Sequence, residues 1–386
     1  MHKYSLEHAD ISLILSGMLK AACIARGEYP DQVFIPGPLN PDTQIKAEPE
    51  VAARARAMFG CPETLPEEGT IGIWTDILHR GRLKSGADNI VFFTSGSTGE
   101  PRPNTHDLAL LAQEIDCQAA LYPGAKRIIS FVFPQHIYGF LFTIMLPKAL
   151  GCPVYSCPPF PAARVLQDIG PNDLVVGFPL FWDKLLNTHP PLPPGIRGVT
   201  STAPCPRETI YNLLAFGFEK ITEIYGSSET GGIGTRDHPE APYSLLSCWR
   251  RVDQDTLARI HPGSGKELLY SMPDEVSWLD AQTFVPGGRK DNAVQVAGIN
   301  VYPKRVKDIL LAHPEVVDCA VRPMRPEEGS RLKAFIVPAE EEIEETEMRR
   351  RLAAWMKKKL SAPEVPRKID FGAELPKDPM GKIRDW

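Results

Sequence analysis

The chain has 386 residues, which is enough for two or three domains that each bury a core. Its net charge of -5 gives no reason to expect nucleic acid or an anionic membrane surface as a partner. No basic segment leads into an apolar run at the start, and no stretch approaches the roughly 18 apolar residues of a membrane span, so we expect a cytoplasmic protein. The 8 cysteines form no Cys-x-x-Cys pair, which is typical of unpaired thiols in a reducing compartment.

The first 89 residues predict helices over 11–26 and 48–59, joined by irregular connections. From residue 90 onward, short apolar runs predict strands that alternate with helical segments. The strands are expected at 90–93, 127–133, 153–155, 174–177 and 198–200, with a helix at 140–150. This alternation favours an α/β fold with a mostly parallel sheet covered by helices, whose ligands bind at the carboxyl ends of the strands.

A second module is expected near the end of the chain. Its predicted elements are a helix at 301–312, strands at 316–322 and 333–337, a helix at 344–360 and a strand at 368–371. This order is typical of a small α+β domain. We therefore expect a large domain over 1–288, with a shortened part at 1–89, and a small domain over 289–386.

A loop rich in glycine and hydroxyl side chains follows the first predicted strand of the large domain. It reads Thr-Ser-Gly-Ser-Thr-Gly-Glu-Pro-Arg over residues 94–102. Glycines let backbone N–H groups approach an anion, the hydroxyls add donors, and Arg102 adds a positive charge, so the loop is suited to a polyphosphate. The alternative is a polar linker, although a linker rarely follows a buried strand so directly.

Three further motifs occur in a fixed order after this loop. They are Tyr-Gly-Ser-Ser-Glu-Thr over 225–230, Gly-Arg-Lys-Asp over 288–291 and Pro-Met-Gly-Lys-Ile-Arg over 379–384. Together the four motifs resemble the adenylate-forming superfamily of acyl- and aryl-CoA ligases, adenylation domains and luciferases, from about residue 90 to the last residue. The short length and residues 295–301 resemble the compact 4-coumarate–CoA ligases associated with photoactive yellow protein.

The resemblance implies that a carboxylate attacks the α-phosphate of ATP, with Mg²⁺ present, to give acyl-AMP and pyrophosphate. Catalysis would then rest on positioning and on cations and N–H donors. Lys382 and Glu229 would be catalytic, and Glu229 would also bind the metal. ATP would be held by Thr94, Ser95, Gly96, Ser97, Thr98, Gly99, Arg102, Thr202, Ala203, Tyr225, Gly226, Ser227, Ser228, Asp280 and Arg289.

Two of these matches to the superfamily are partial. Ser201 and Thr202 stand where glycine is usual, and Asp280, expected to accept the ribose hydroxyls, lacks the usual preceding Thr-Gly. The region before residue 90 is shorter than is usual in the superfamily. One flank of the substrate cleft is therefore not assigned to any residues.

The residues expected around the acid are His136, Tyr138, Gly139, Phe140, Ser201, Gly231 and Gly232. The double glycine removes side chains from the pocket wall, which would leave room for a flat ring, and Tyr138 and Phe140 could stack on that ring. The motifs contain no cation for a second carboxylate and no aspartate for an α-amino group. We therefore expect an aromatic monocarboxylate, either benzoate-like or 4-coumarate-like.

The acceptor of the acyl group is expected to be CoA. The resemblance makes Asp291 a hinge for the small domain and places Gly298 in a thiol tunnel. A carrier protein or an amine remains an alternative acceptor. A non-catalytic protein that binds a nucleotide or an acyl ligand is a third hypothesis, against which Lys382, Glu229 and Arg289 argue.

Overall fold

The computed structural model describes residues 4–28, 31–46, 48–95, 101–159, 166–296, 299–325, 328–329, 331–339, 344–376, 384 and 386. The chain divides into two compact units. The first consists of Met1–Thr94 with Pro103–Gly287, and the second of Ser95–Arg102 with Gly288–Trp386.

The first unit begins with three helices that form part of its main core. These elements are α1 (His8–Arg26), β1 (Gln44–Lys46), α2 (Pro49–Phe59), β2 (Glu68–Thr70) and α3 (Ile71–Ser85). Within the described residues, α1 is the one helix with the length and mean hydropathy of a membrane span. Its Ile11, Ile14 and Leu15 are fully buried in a core that also contains Trp74 and Leu78 of α3. Packing against α3 thus accounts for the apolar face of α1.

Five parallel strands form the centre of the first unit. The elements are β3 (Asn89–Ser95), β4 (Pro101–Asp107), α4 (Leu108–Ala119), β5 (Arg127–Ser130), α5 (Ile137–Leu150), β6 (Val154–Ser156), β7 (Asp173–Gly177), α6 (Pro179–Thr188), β8 (Ile196–Thr200), α7 (Arg207–Phe216) and β9 (Phe218–Ser227). The parallel order is β6-β5-β7-β8-β9, while β3 and β4 pair with each other. This confirms the expected α/β fold.

The sheet continues beyond β9 as antiparallel strands, which the sequence analysis did not assign. The strands are β10 (Gly231–Arg236), β11 (Tyr243–Leu245), β12 (Arg250–Arg251), β13 (Thr256–Ile260), β14 (Glu267–Ser271), β15 (Asp274–Trp278) and β16 (Thr283–Arg289). Strands β10, β11, β16 and β15 extend the central sheet to 9 strands, and β12-β13-β14 form a separate small sheet. Strand β14 alternates exposed with half-buried residues instead of forming an apolar run, so the apolar-run criterion missed it.

The second unit is a small α+β module, as expected. Its elements are β17 (Val294–Val296), β18 (Ile299–Val301), α8 (Pro303–Leu311), β19 (Val316–Pro323), β20 (Leu332–Pro338), α9 (Glu345–Lys357) and β21 (Lys368–Phe371). Strand β20 lies between β19, which is antiparallel to it, and β21, which is parallel. Val306 and Leu310 of α8 and Met348 and Leu352 of α9 pack in one core with the sheet. This unit thus has a hydrophobic core of its own.

Candidate functional site

The carboxyl ends of the parallel strands gather several of the expected site residues at one edge of the first unit. Strands β5, β7, β8 and β9 run parallel, so the segments that follow them leave the sheet on the same side. Ser201, just after β8, donates a hydrogen bond of 3.0 Å from Oγ to the carbonyl oxygen of Ile224 in β9. The loop that contains Thr202 and Ala203 is thereby tied to the strand that contains Tyr225.

The turn between β9 and β10 is closed by its own side chains. The Oγ atom of Ser227 accepts hydrogen bonds from the amides of Glu229 (3.2 Å) and Thr230 (3.3 Å). The Ser227 amide donates to Oγ1 of Thr230 at 3.2 Å. Gly226 packs so tightly that a Cβ atom there would lie 2.1 Å from the carbonyl oxygen of Gly231. This turn leaves the Glu229 carboxylate exposed to solvent, where it can reach a ligand.

Three side chains that the sequence analysis missed hold this turn in place. Nε2 of His106, in β4, donates to the carbonyl oxygen of Ser228 at 2.7 Å. The indole of Trp249 donates to the carbonyl oxygen of Gly232 at 2.7 Å, and the amide of Gly232 donates to Oε1 of Glu114 at 2.8 Å. The sequence signal for Glu114 is a carboxylate on a buried face of α4 that contains Leu110, Leu111 and Ile115, together with the amide of Gln118.

The structure argues against the expected role of Gly231 and Gly232 as space for an aromatic ring. A Cβ atom at Gly231 would lie 2.3 Å from Oε2 of Glu114, and one at Gly232 would lie 2.6 Å from Oε1. Gly231 also has a φ of 73°, a conformation that favours glycine. The two glycines therefore make room for the Glu114 carboxylate, which is completely buried.

Burial raises the pKa of Glu114 to about 7, although the Arg259 charge and the Gly232 amide act in the opposite direction. Between the usual carboxyl pKa and this value, the folded protein holds a proton that the unfolded chain has released. The free energy of unfolding should therefore fall by up to about 3 kcal/mol as the pH rises from about 4.5 to about 7. Glu114→Gln keeps an acceptor for Gly232 but cannot titrate, so this pH dependence should shrink.

Denaturant unfolding of the parent protein and of Glu114→Gln at several pH values measures how the free energy of unfolding depends on pH in each. Glu114→Ala is the matched control, because it loses the hydrogen bond and leaves a cavity at every pH. If Glu114→Gln shows the same pH slope as the parent protein, the buried carboxyl group is not its source.

The structure also argues against the expected stacking of Tyr138 and Phe140 on the acid. The Tyr138 hydroxyl donates to the carbonyl oxygens of Gly177 and Val199, both at 3.0 Å, and the Phe140 ring is fully buried against Phe92. A Cβ atom on Gly139 would lie 2.0 Å from a main-chain oxygen of the preceding loop, so this glycine permits close helix packing. All three residues belong to the core of the first unit.

His136 differs from its three neighbours because its side chain is exposed. Desolvation nevertheless lowers the pKa of the imidazole, and the positive charge of Arg54 lowers it further. A neutral, accessible ring at the carboxyl edge of the sheet is compatible with the expected place beside the acid.

Thr202 occupies a strained backbone conformation in the loop after β8. Its φ is 77°, which is unusual for a β-branched residue, and its side chain is exposed. Such conformations persist where the surrounding structure imposes them, often at functional sites. The presence of threonine where glycine is usual should thus lower the stability of the folded protein.

Thr202→Gly should raise the free energy of unfolding by about 1 kcal/mol, because relief of the strain exceeds the added entropy of the unfolded chain. Denaturant unfolding measures this change. Thr105 gives the control, because it is also exposed but has a negative φ in β4. Thr105→Gly should lower the free energy of unfolding. Equal destabilisation by both substitutions would contradict the strain at Thr202.

Tyr225 is joined to a carboxylate that the sequence analysis did not select. Its ring packs against Tyr243 and Phe284, with centroids 5.6 and 5.3 Å away. Its hydroxyl donates to Oδ2 of Asp274 at 2.9 Å. Asp274, at the start of β15, is therefore a carboxylate that contacts Tyr225, and Tyr225 is the residue expected beside the adenine.

Asp280 occupies the turn between β15 and β16. Its carboxylate accepts hydrogen bonds of 2.7 Å from the amides of Gln282 and Thr283 and from the Thr283 hydroxyl. These bonds lower the pKa of Asp280 and give the carboxylate a local structural role. The structure thus argues against the expected ribose contact of Asp280.

In the second unit, Arg289 and Asp291 form a bidentate ion pair. Nε and Nη2 of Arg289 donate to the two carboxylate oxygens of Asp291, each at 2.8 Å. The Ala293 amide (3.0 Å) and the Tyr302 hydroxyl (3.2 Å) also donate to Asp291. The guanidinium holds the pKa of Asp291 low, at about 2. Arg289, which is expected to contact the nucleotide, and Asp291, the expected hinge residue, are therefore joined by an ion pair.

Several expected site residues lie outside the described residues, namely Gly96, Ser97, Thr98, Gly99, Gly298 and Lys382. At the borders of the first loop, Oγ1 of Thr94 accepts a hydrogen bond of 3.1 Å from Asn104, and Arg102 is exposed. No group of three or more His, Cys, Asp or Glu side chains within the described ranges could hold a metal ion. Mg²⁺ is typically bound by one or two carboxylates together with water and substrate oxygens.

Comparison with protein families gives two matches. The AMP-binding enzyme family matches residues 3–267, and the AMP-binding enzyme C-terminal domain matches residues 305–382. The 4-coumarate–CoA ligase of Halorhodospira halophila is 36% identical over 295 residues, which cover 76% of this chain and 75% of the relative. The 4-coumarate–CoA ligase of Rhodobacter capsulatus is 39% identical over 300 residues, covering 77% and 75%.

Two solved structures have the same fold at low sequence identity. The o-succinylbenzoate CoA synthetase of Bacillus subtilis has a TM-score of 0.60 at 18% identity, covering 76% of this chain and 67% of its own. An amide bond synthetase from Marinactinospora thermotolerans has a TM-score of 0.61 at 20% identity, with the same coverage. The family matches in sequence thus agree with the fold that this chain shares with these two structures.

Proposed function

Since the chain belongs to the AMP-binding enzyme family, we propose that it activates an aromatic carboxylic acid with ATP and transfers the acyl group to CoA. The observation that carries this proposal is the 36–39% identity to 4-coumarate–CoA ligases over about three quarters of the chain. We therefore name 4-coumarate as the acid and a cytoplasmic acid–thiol ligase as the class of enzyme.

ATP would bind at the carboxyl edge of the central sheet. The loop over 94–102 would hold the β- and γ-phosphates, and Tyr225 to Ser228 with Thr202 and Ala203 would hold the adenine. We assign the ribose hydroxyls to Asp274 rather than Asp280, because the Asp274 carboxylate adjoins Tyr225 while Asp280 is engaged in its turn. Arg289 would also contact the nucleotide.

The Glu229 carboxylate fits a Mg²⁺ site because it is exposed on a turn held by hydrogen bonds, and its ligand atoms are oxygens. The metal would neutralise phosphate charge as the acid attacks the α-phosphate. His106 and Glu114 would keep Glu229 in position through Ser228 and Gly232.

Lys382 would supply a positive charge to the α-phosphate and the attacking carboxylate. We propose that residues 289–386 turn about Asp291 after adenylation, so that Lys382 leaves and the segment with Gly298 admits CoA. The acid would lie beside His136 and Ser201, since the wall formed by Gly231 and Gly232 is occupied by Glu114.

The test is acid-dependent exchange of pyrophosphate into ATP over a panel of aromatic and alkyl acids, followed by thioester analysis with CoA. We expect exchange with 4-coumarate above all alkyl acids, and 4-coumaroyl-CoA after CoA is added. Exchange without a thioester would point to a carrier protein or an amine as acceptor. No exchange with any acid would contradict the proposal.

A further inference from the structure

Two cysteines that are remote in sequence meet in the first unit. Cys117 lies near the end of α4, and Cys248 lies just before β12. Both side chains are half-buried and pack against the hydrophobic cluster that contains Trp249. The thiol of Cys248 donates a hydrogen bond to the sulfur of Cys117. The two thiols are free in this structure, but their contact is the first geometric requirement of a disulfide.

The sulfur of Cys117 accepts from several donors. Oγ of Ser247 lies 3.2 Å from it, and the amide of Cys248 also donates to it. The hydrogen bond from the Cys248 thiol, followed by these two donors, lowers the pKa of Cys117 to about 6, although burial acts in the opposite direction. Since the thiolate is the nucleophilic form of cysteine, Cys117 should be reactive at neutral pH.

A fixed positive charge lies beside the same sulfur. Arg259 in β13 is only 3% exposed. Its Nε and Nη2 donate to Oε1 of Gln113 at 3.1 and 2.9 Å, and its guanidinium lies over the Trp249 ring at 4.7 Å. The charge of Arg259 also lowers the pKa of Cys117. These contacts hold the guanidinium in place, so it can stabilise a negative sulfur without rearrangement.

Other cysteines of the chain have the opposite environment. Burial raises the pKa of the thiols of Cys152, Cys157, Cys205 and Cys319. The pKa of Cys248 is also raised, first by its hydrogen bond to Cys117 and then by burial. An activated thiolate beside a protonated second thiol is the arrangement of a redox-reactive cysteine and the cysteine that resolves it.

We propose that Cys117 and Cys248 are a peroxide-reactive pair, which closes into a reversible disulfide. The Cys117 thiolate attacks one oxygen of hydrogen peroxide, so that an S–O bond forms and the O–O bond breaks. The hydroxide that leaves takes a proton from solvent and becomes water. The product on Cys117 is a sulfenic acid.

The second step consumes the Cys248 thiol. Its sulfur attacks the Cys117 sulfur, the S–S bond forms and the S–O bond breaks. The hydroxide released takes the proton of Cys248 and becomes a second water. The two cysteines thus lose two electrons in total, and one peroxide is reduced to two waters. The neutral sulfenic acid no longer holds the Cys248 proton as the thiolate did, which favours this step.

The disulfide would join two elements that hold the turn before β10. Glu114, one helical turn before Cys117, accepts the hydrogen bond of the Gly232 amide. Trp249, next to Cys248, donates to the carbonyl oxygen of Gly232. The modification itself does not depend on the proposed function, since its chemistry involves neither nucleotide nor acid.

The test is peptide mapping by mass spectrometry after the reduced parent protein is treated with hydrogen peroxide. We expect a peptide pair joined through Cys117 and Cys248 and a loss of two of the 8 free thiols, both reversed by dithiothreitol. In Cys248→Ser, oxidation of Cys117 should stop at the sulfenic acid, which dimedone traps. Absence of the Cys117–Cys248 link, or a yield no greater than that of other cysteine pairs, would overturn the proposal.

Cys152→Ser is the matched control, because Cys152 is also a half-buried cysteine of the first unit. It should form the Cys117–Cys248 link as the parent protein does. Labelling of the parent with a small amount of iodoacetamide at neutral pH gives a second readout. Cys117 should take most of the label and Cys152 little, and equal labelling of the two would contradict an activated thiolate at Cys117.

Discussion

Lys382→Ala should slow acyl-AMP formation by at least about 100-fold, because removal of a preorganised charge from a reaction centre typically costs a factor of about 100 to 1,000. The same variant should still form thioester from supplied acyl-AMP and CoA at a substantial rate, since the lysine is expected to have left the site by then. Single-turnover kinetics of each half-reaction measures both effects.

Lys357 in α9 offers a control in the same unit, because it is exposed and remote in sequence from Lys382. Lys357→Ala should leave both half-reactions unchanged. If Lys382→Ala slowed both half-reactions equally, the two steps would share one fixed site and the proposed rotation about Asp291 would be wrong.

Glu229→Gln should lower the adenylation rate by about 100-fold at low Mg²⁺, and high Mg²⁺ should restore part of it. The amide still offers an oxygen to the metal but no negative charge. The measurement is the adenylation rate as a function of Mg²⁺ concentration. Glu219→Gln, an exposed position at the other end of β9, is the control and should behave like the parent protein. A magnesium dependence unchanged by Glu229→Gln would remove Glu229 from the metal site.

The sequence was sufficient for the family and for most of the parallel core. The helices expected at 11–26 and 48–59 are α1 and α2, and the strands expected at 174–177 and 198–200 lie within β7 and β8. Apolar runs and helical spacing identify such elements because both faces of a parallel sheet are buried. The antiparallel strands from β10 to β16 lack this signal.

The errors concern partners that are distant in sequence. Two adjacent glycines indicate missing side chains, but the sequence does not say what occupies the space, and Glu114 lies 118 residues before Gly232. Asp274 and Asp280 are both acidic residues shortly before Arg289 in the sequence, and the Tyr225 hydroxyl and the Asp280 turn distinguish them in the structure. The strain at Thr202 depends on backbone geometry, which residue type alone does not reveal.

The most direct test of the proposed chemistry follows the oxygen atoms of the acid. The enzyme would be given ATP, Mg²⁺, CoA and 4-coumarate whose carboxylate carries a heavy oxygen isotope, and the products would be analysed by mass spectrometry. Attack of the carboxylate on the α-phosphate predicts AMP that contains one labelled oxygen for each thioester formed. Unlabelled AMP, or label in pyrophosphate or inorganic phosphate, would contradict an acyl-AMP intermediate.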